Sequence, residues 1–190
     1  MHGEILIKYY SKNDSTKKMA RSIARGIESV DSITSTVRTV DSDIYKDSDD
    51  TIVSKDDLEK CSGMIIGSPT HFGNMASPLK AFLDNTTQEW FNGTLENKLG
   101  GVFTSTSSMH GGQESTLLTM MLPLIHHGMI IAGVPYSEKT LSKTKTGGSP
   151  YGPTHVSLNE TIELSDEEKI ICLSYGKRFA EIVRKLSPND

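Results

Sequence analysis

The chain has 190 residues, 35% of them hydrophobic and 23% charged, with a net charge of −4, the composition of one ordinary domain able to bury a core. The negative balance gives no general attraction to nucleic acid. The longest apolar runs are too short to span a bilayer, and Met1-His-Gly-Glu leads directly into a strand instead of a signal peptide, so a cytosolic home is expected.

Strands are predicted near 4–10, 33–40, 62–67, 99–105 and 129–132. Helices are predicted near 16–29, 77–86, 112–127 and 165–185, with a short helical turn near 56–60. The first strand, Ile5-Leu-Ile-Lys-Tyr-Tyr10, is followed by the polar loop Ser11-Lys12-Asn13-Asp14-Ser15-Thr16. Apolar residues at 19, 20, 23, 24 and 27 then fall on one face of a helix. Free N–H groups at a helix N-terminus bind anions, and the short hydroxyl and amide side chains of the loop add donors. A terminal phosphate fits this nest; the alternative is that Ser15 or Thr16 only caps the helix. The loop lacks Gly-x-Gly-x-x-Gly and Gly-x(4)-Gly-Lys-[Ser/Thr], which favours a mononucleotide over a dinucleotide or a nucleoside triphosphate.

After the second strand, Asp41 to Asp57 is rich in Asp, Ser and Lys and is expected to be a solvated loop. It lacks the Gly and terminal Glu of a calcium site, and no metal is expected. The third strand runs into Gly67-Ser-Pro69-Thr70-His71-Phe72-Gly73-Asn74-Met75, read as a small-residue turn before a helix with Pro78 in its first turn. Bare backbone there suits close approach to a flat polar ring, although an ordinary connection has the same composition. His126 and His127 sit in the last helical turn before Gly128, where the helix dipole alone accounts for them. Thr140 to Thr161 is a long connection, either ordered and functional or interfacial, or disordered. Strand and helix alternate as a parallel sheet covered on both faces requires, and such sheets bind ligands outside their carboxyl ends. Cys61 and Cys172 form no Cys-x-x-Cys pair and are expected to be free thiols.

Tyr-Ser-x-Asn-Asp-Ser-Thr resembles the phosphate loop of flavodoxins. Gly-Ser-Pro-Thr-His-Phe-Gly-Asn-Met with Phe-Leu-Asp-Asn-Thr downstream is similar to the WrbA family of flavodoxin-like NAD(P)H:quinone oxidoreductases. The likeness continues through Trp90, Gly111-Gly-Gln-Glu114, His126-His-Gly-Met129 and Gly147-Gly-Ser-Pro-Tyr-Gly152. It spans nearly the whole chain as separate blocks in the same order. The resemblance implies a flavodoxin-like α/β three-layer sandwich with five parallel strands in the order 2-1-3-4-5, forming a single domain over 1–190 with an insertion at about 140–161. It implies noncovalent FMN, NAD(P)H and quinones as substrates of a ping-pong reaction, and a homotetramer built as a dimer of dimers.

On that reading Ser11, Lys12, Asn13, Asp14, Ser15 and Thr16 hold the phosphate. Pro69, Thr70, His71, Phe72, Gly73 and Asn74 meet the ring, together with Ser105, Thr106, Ser107, Ser108, Gly111 and Gly112, whose loop brings donors to the flavin's pyrimidine oxygens. The resemblance gives His126 a place beside the flavin and a catalytic role, hydrogen-bonding a quinone oxygen or shuttling its proton. Trp90 and Asn13 contact the substrate, Trp90 by stacking. Asp14 stands where such loops usually have Gly, and His71 where WrbA proteins commonly have Arg. The rival readings are an electron-carrier flavodoxin and a non-catalytic FMN-binding module; Trp90, the His pair and the insertion favour the enzyme.

Overall fold

β1 (Gly3–Tyr9) is buried along almost its whole length, because both of its faces are covered. Ile5, Ile7 and Tyr9 pack on one side of the sheet against Met19, Ile23 and Ile27 of α1 (Ser15–Glu28) and Phe179 and Val183 of α6 (Asp166–Leu186). Leu6 faces the other side, with Leu79 and Leu83 of α3 (Ser77–Asp84) and Leu117, Met120 and Leu124 of α5 (Gln113–His126). This two-residue alternation produces the three layers. Each buried Leu or Ile contributes about 1.5–3 kcal/mol. The computed structural model describes residues 3–41, 49–157 and 162–186.

The main path of the sheet runs β2 (Ile33–Thr39), β1, β3 (Gly63–His71), β5 (Leu99–Thr106), β6 (Ile130–Ile131), all parallel. This is the expected order of five parallel strands. The chain steps from β1 to β2 on one side and then to β3 on the other, so the switch point lies between β1 and β3. A short α2 (Lys55–Lys60) precedes β3 and is closed by a capping box between Ser54 and Asp57. Of the acidic stretch 41–57, residues 42–48 lie outside the described residues, while Ile52 bridges to Thr39, Val53 is buried and α2 takes up the end.

Three features differ from the expected elements. β3 continues to His71 and returns as β4 (Asn74–Met75), an antiparallel hairpin pairing Thr70 with Met75 and His71 with Asn74. Its two turn residues, Phe72 and Gly73, have φ of 52° and 75°, the backbone of a type I′ turn. Phe-Gly is an unusual pair for that turn, so the stretch reads as an irregular connection. The second feature is α4 (Thr87–Phe91), a single short helix carrying Trp90. The third is a fifth strand in two pieces. β6 pairs with the start of β5, and β7 (Thr154–Val156) with its end. The segment between them contains a 3₁₀ turn at Lys139–Ser142 and docks on α6, with Leu141 buried and the Ser174 hydroxyl donating to Glu138. The long connection is therefore ordered through Ser157, while 158–161 lie outside the described residues.

Candidate functional site

The carboxyl ends of β1, β3, β5 and β7 open onto a cavity of about 780 Å³. Its lining comes from segments far apart in sequence: Ser11, Lys12, Asn13, Ser15 and Thr16 after β1, Pro69, Thr70 and His71 at the end of β3, and Ser105, Thr106 and Ser107 at the end of β5. Ser157 and Ile162 also line it among the described residues. Eight of these residues carry hydroxyls and none carries a carboxylate. The volume is that of a small-molecule site, and the donor set is that of an anion and polyol site.

Hydroxyls knit the floor together. Thr16 Oγ1 and Ser105 Oγ are 2.9 Å apart, and Ser15 Oγ and Ser157 Oγ 3.1 Å. Behind them the Thr104 hydroxyl donates to the Ser68 carbonyl at 2.7 Å, and the Thr116 hydroxyl to Thr70 Oγ1 at 3.1 Å. The sheet register sets this arrangement, since Pro69 lies opposite Ser105 and Ser105 opposite His155.

Asp14 begins α1 with φ 59°, in the left-handed region, and its side chain makes no capping bond. It does not line the cavity. It belongs to a separate cleft on the outer side of α1 with Lys17, Lys18, Arg21 and Arg25. The carboxylate that sequence places inside a phosphate nest is thus turned out of it. The α1 N-terminus still faces the cavity through Ser15 and Thr16, with the Lys17 N–H donating to Ser11 Oγ at 3.4 Å.

The loop after β5 is held from below. Gln113 Nε2 donates to the Met109 carbonyl at 2.9 Å, and the Thr106 hydroxyl to the Ser108 carbonyl at 2.9 Å. Gly112 has φ 93°, and a Cβ there would stand 2.9 Å from the Cα of Gly73. Only glycine lets the two loops touch. Ser107 reaches the cavity; Ser108, Gly111, Gly112, Phe72, Gly73 and Asn74 do not line it. Asn74 instead accepts the Thr119 hydroxyl at 3.1 Å, and Phe72 stands fully exposed at the hairpin tip.

Trp90 and His126 are brought to each other but not to this cavity. The Trp90 indole N–H donates to the His126 carbonyl at 2.8 Å. α5 starts at the cavity rim and runs back along the sheet, so His126 lies about 20 Å away at the opposite edge. The expectation that both share a pocket with the nest is not met within one chain, because a 14-residue helix separates them. Gly128 with φ 75° ends α5 as expected, with Gly128 N–H bonded to the Ile125 carbonyl and Met129 N–H to the Leu124 carbonyl. His127 Nε2 sits 2.9 Å from Thr86 Oγ1. Burial, and then the charge of Lys8, hold its imidazole below the usual range against the opposing pull of Glu89.

Sequence reading misses His155, Ser157 and Glu168. His155 and Glu168 are fully buried behind the cavity, with His155 Nδ1 2.7 Å from Glu168 Oε2 and His155 Nε2 3.0 Å from Ser157 Oγ. Burial raises the Glu168 carboxyl pKa, but hydrogen bonds from His155, Ser165 and Val156 outweigh it and hold the group below its ordinary value. The one local signal is Ser165-x-x-Glu168, a capping box in which each residue's backbone N–H meets the other's side chain.

Residues 9–139 match the family described as NADPH-dependent FMN reductase. An NAD(P)H dehydrogenase (quinone) of Solidesulfovibrio magneticus is 35% identical over 96% of this chain and 98% of its own length. Another, from Syntrophobacter fumaroxidans, is 36% identical over 98% of this chain and 100% of its own. Among solved structures, a WrbA-like flavodoxin from Agrobacterium tumefaciens superposes with a TM-score of 0.74 at 23% identity, covering 97% of this chain and 99% of that one. Flavodoxin 1 of Bacillus cereus superposes with a TM-score of 0.64 at 19% identity, covering 94% and 98%. The fold is thus flavodoxin-like, and the chain belongs to the NADPH-dependent FMN reductase family, with its resemblance to the WrbA type carried along nearly its whole length.

Proposed function

We propose that this protein is an FMN-dependent NAD(P)H:quinone oxidoreductase, a reading carried by the cavity at the switch point of the sheet, whose lining among the described residues is rich in hydroxyls and holds no carboxylate. The residues present fit FMN. The start of α1 with Ser11, Asn13, Ser15 and Thr16 suits a phosphate, and the loops at 69–74 and 105–112 suit the edge of a planar ring. When bound, FMN supplies the two-electron chemistry between NAD(P)H and a quinone. The chain's own part is to bind, orient and supply donors. Thr106 and Gln113 fix the loop after β5, and the contact of Gly112 with Gly73 keeps the ring-binding backbone in place.

The assembly we infer is a homotetramer. Leu118, Leu122 and Ile125 form an exposed stripe on α5 at helical spacing, continued by Trp90 and the 80%-exposed Phe91. Such a stripe is the usual mark of a contact between copies. In this reading a neighbouring copy brings Trp90 and His126 over the cavity, where Trp90 stacks on the quinone and His126 meets its oxygen. The segment at about 140–161 lies at another subunit contact of the same single domain. A cytosolic setting is supported by two buried free thiols, and among the described residues no helix is long and apolar enough to cross a membrane. Anaerobic stopped-flow of the flavin-loaded protein tests the activity, with bleaching by NADH or NADPH and recovery by benzoquinone. Steady-state plots with parallel lines support one site used in turn; an electron carrier would show neither rapid bleaching nor turnover.

A further inference from the structure

We propose that Glu168, His155 and Ser157 form a proton-linked relay ending at the nest, so that binding of a phosphate monoester dianion there favours uptake of a proton from solvent by His155. The inference rests on the assignment of the nest to the FMN phosphate. Its argument starts at the buried end. Glu168 Oε1 accepts the Gly147 N–H at 2.8 Å and the Val156 N–H at 3.0 Å, and Oε2 accepts the Ser165 N–H at 2.9 Å. Three backbone donors keep the carboxyl ionised. An ionised carboxylate only accepts, so His155 Nδ1, 2.7 Å from Oε2, carries a hydrogen.

The other ring nitrogen then sets the direction of every hydroxyl beyond it. In a neutral imidazole Nε2 accepts, and Ser157, 3.0 Å away, must turn its one hydrogen back toward it. Ser157 Oγ can then only accept from Ser15, 3.1 Å further on, and Ser15 shows lone pairs to the cavity. In an imidazolium the chain reverses. Nε2–H donates to Ser157, Ser157 donates to Ser15, and the hydrogen of Ser15 is free for an anion. A dianion in the nest therefore selects protonated His155, and proton and anion strengthen each other's binding by the same factor.

The same order of acid, imidazole and hydroxyl activates serine nucleophiles. Here the terminal hydroxyl meets a second hydroxyl at the start of a helix, a direction suited to donating to an anion. The groups around the imidazole agree with this. From α6 it faces Glu168, behind which burial pushes the Cys172 thiol up and keeps it neutral. From β5 its register partner is Ser105, and from α1 the relay meets Ser15, with Lys18 on that helix already paired to Glu163.

The test is calorimetric titration of full-length apoprotein at pH 8, in Tris and in HEPES, whose ionisation enthalpies differ. At that pH free FMN is a dianion, with a second phosphate pKa of about 6. FMN is expected to bind with net proton uptake of at most about half a proton per site, the most that a tenfold linkage gives, and riboflavin, which lacks the phosphate, with none. His155→Gln should abolish the uptake and weaken FMN about tenfold while leaving riboflavin unchanged. Ser157→Ala, at a position only half buried, should do the same without disturbing the core. FMN binding without proton uptake in the wild type, or uptake that survives both substitutions, overturns the relay. If neither flavin binds, NMR titration of His155 with inorganic phosphate separates the two claims. A rise of about one unit in the imidazole pKa upholds the relay while the flavin assignment falls, and no rise overturns the relay as well.

Discussion

Replacing Lys8 with Met is expected to stabilise this protein at neutral pH. Lys8 is fully buried in the middle layer, on the face of β1 that carries Leu6. Its Nζ lies 3.6 Å from the centroid of the Phe82 ring and makes no hydrogen bond. The ring offers about 2 kcal/mol to a desolvated cation, whereas burying an ammonium costs several kcal/mol. Burial accordingly holds the amine well below its ordinary pKa, against a smaller opposing contribution from Cys61. Met occupies nearly the same volume without the charge, so the gain at pH 7 is about 1–4 kcal/mol. For a chain of this size each kcal/mol moves Tm by about 2–4 °C.

The sign with pH follows from linkage. The unfolded lysine holds its proton up to a pH of about 10.4 and the folded one loses it earlier, so between the two values unfolding takes up a proton and wild-type stability rises with pH. The advantage of Lys8→Met is therefore larger at pH 7 than at pH 9.5 and shrinks toward pH 10. Urea unfolding of both apoproteins, followed by circular dichroism at pH 7 and 9.5, measures it. A variant less stable than wild type at pH 7, or a difference that does not shrink at pH 9.5, would show that the ammonium is held by something other than the Phe82 ring.

Asp14→Gly should raise stability by about 0.5–1 kcal/mol, since it removes an uncompensated left-handed aspartate. It should also tighten FMN binding by removing a negative charge near the nest, and fluorescence titration showing weaker binding would contradict this. Leu118→Glu with Leu122→Glu should shift the sedimentation of micromolar protein to a smaller species without lowering Tm, because both side chains are exposed in the single chain. Trp90→Ala should raise the quinone KM about tenfold or more, consistent with stacking worth roughly 1–3 kcal/mol, while FMN affinity stays within about threefold. A larger loss of FMN than of quinone binding would place Trp90 elsewhere. Burial pushes the Cys61 thiol up to about 11 and Cys172 higher still, so a thiol reagent at pH 8 should label neither in the native protein and both in urea.

The alternation of strand and helix and the faces of β1 and α1 were legible in the sequence, because each rests on neighbours, while the order of the sheet was legible only through the family resemblance. Ile5, Ile7 and Tyr9 against Leu6, and Met19, Ile23 and Ile27 at helical spacing, state their burial by periodicity alone. The hydroxyls of 11–16 and 104–107 sit at strand ends, where a parallel sheet puts its ligands. The hairpin at Phe72-Gly73 stayed hidden because pairing, and not its own residues, imposes the positive φ. Tertiary structure alone turned Asp14 out of the nest and set Trp90 beside His126 at the far end of α5. The relay is the extreme case. Ser15 and Ser157 are 142 positions apart, and Glu168 reaches His155 only because the split fifth strand lays β7 along β5 beneath the start of α6. Periodicity reports which face a residue occupies, but a contact between distant side chains depends on how the layers pack, and no local pattern carries that information.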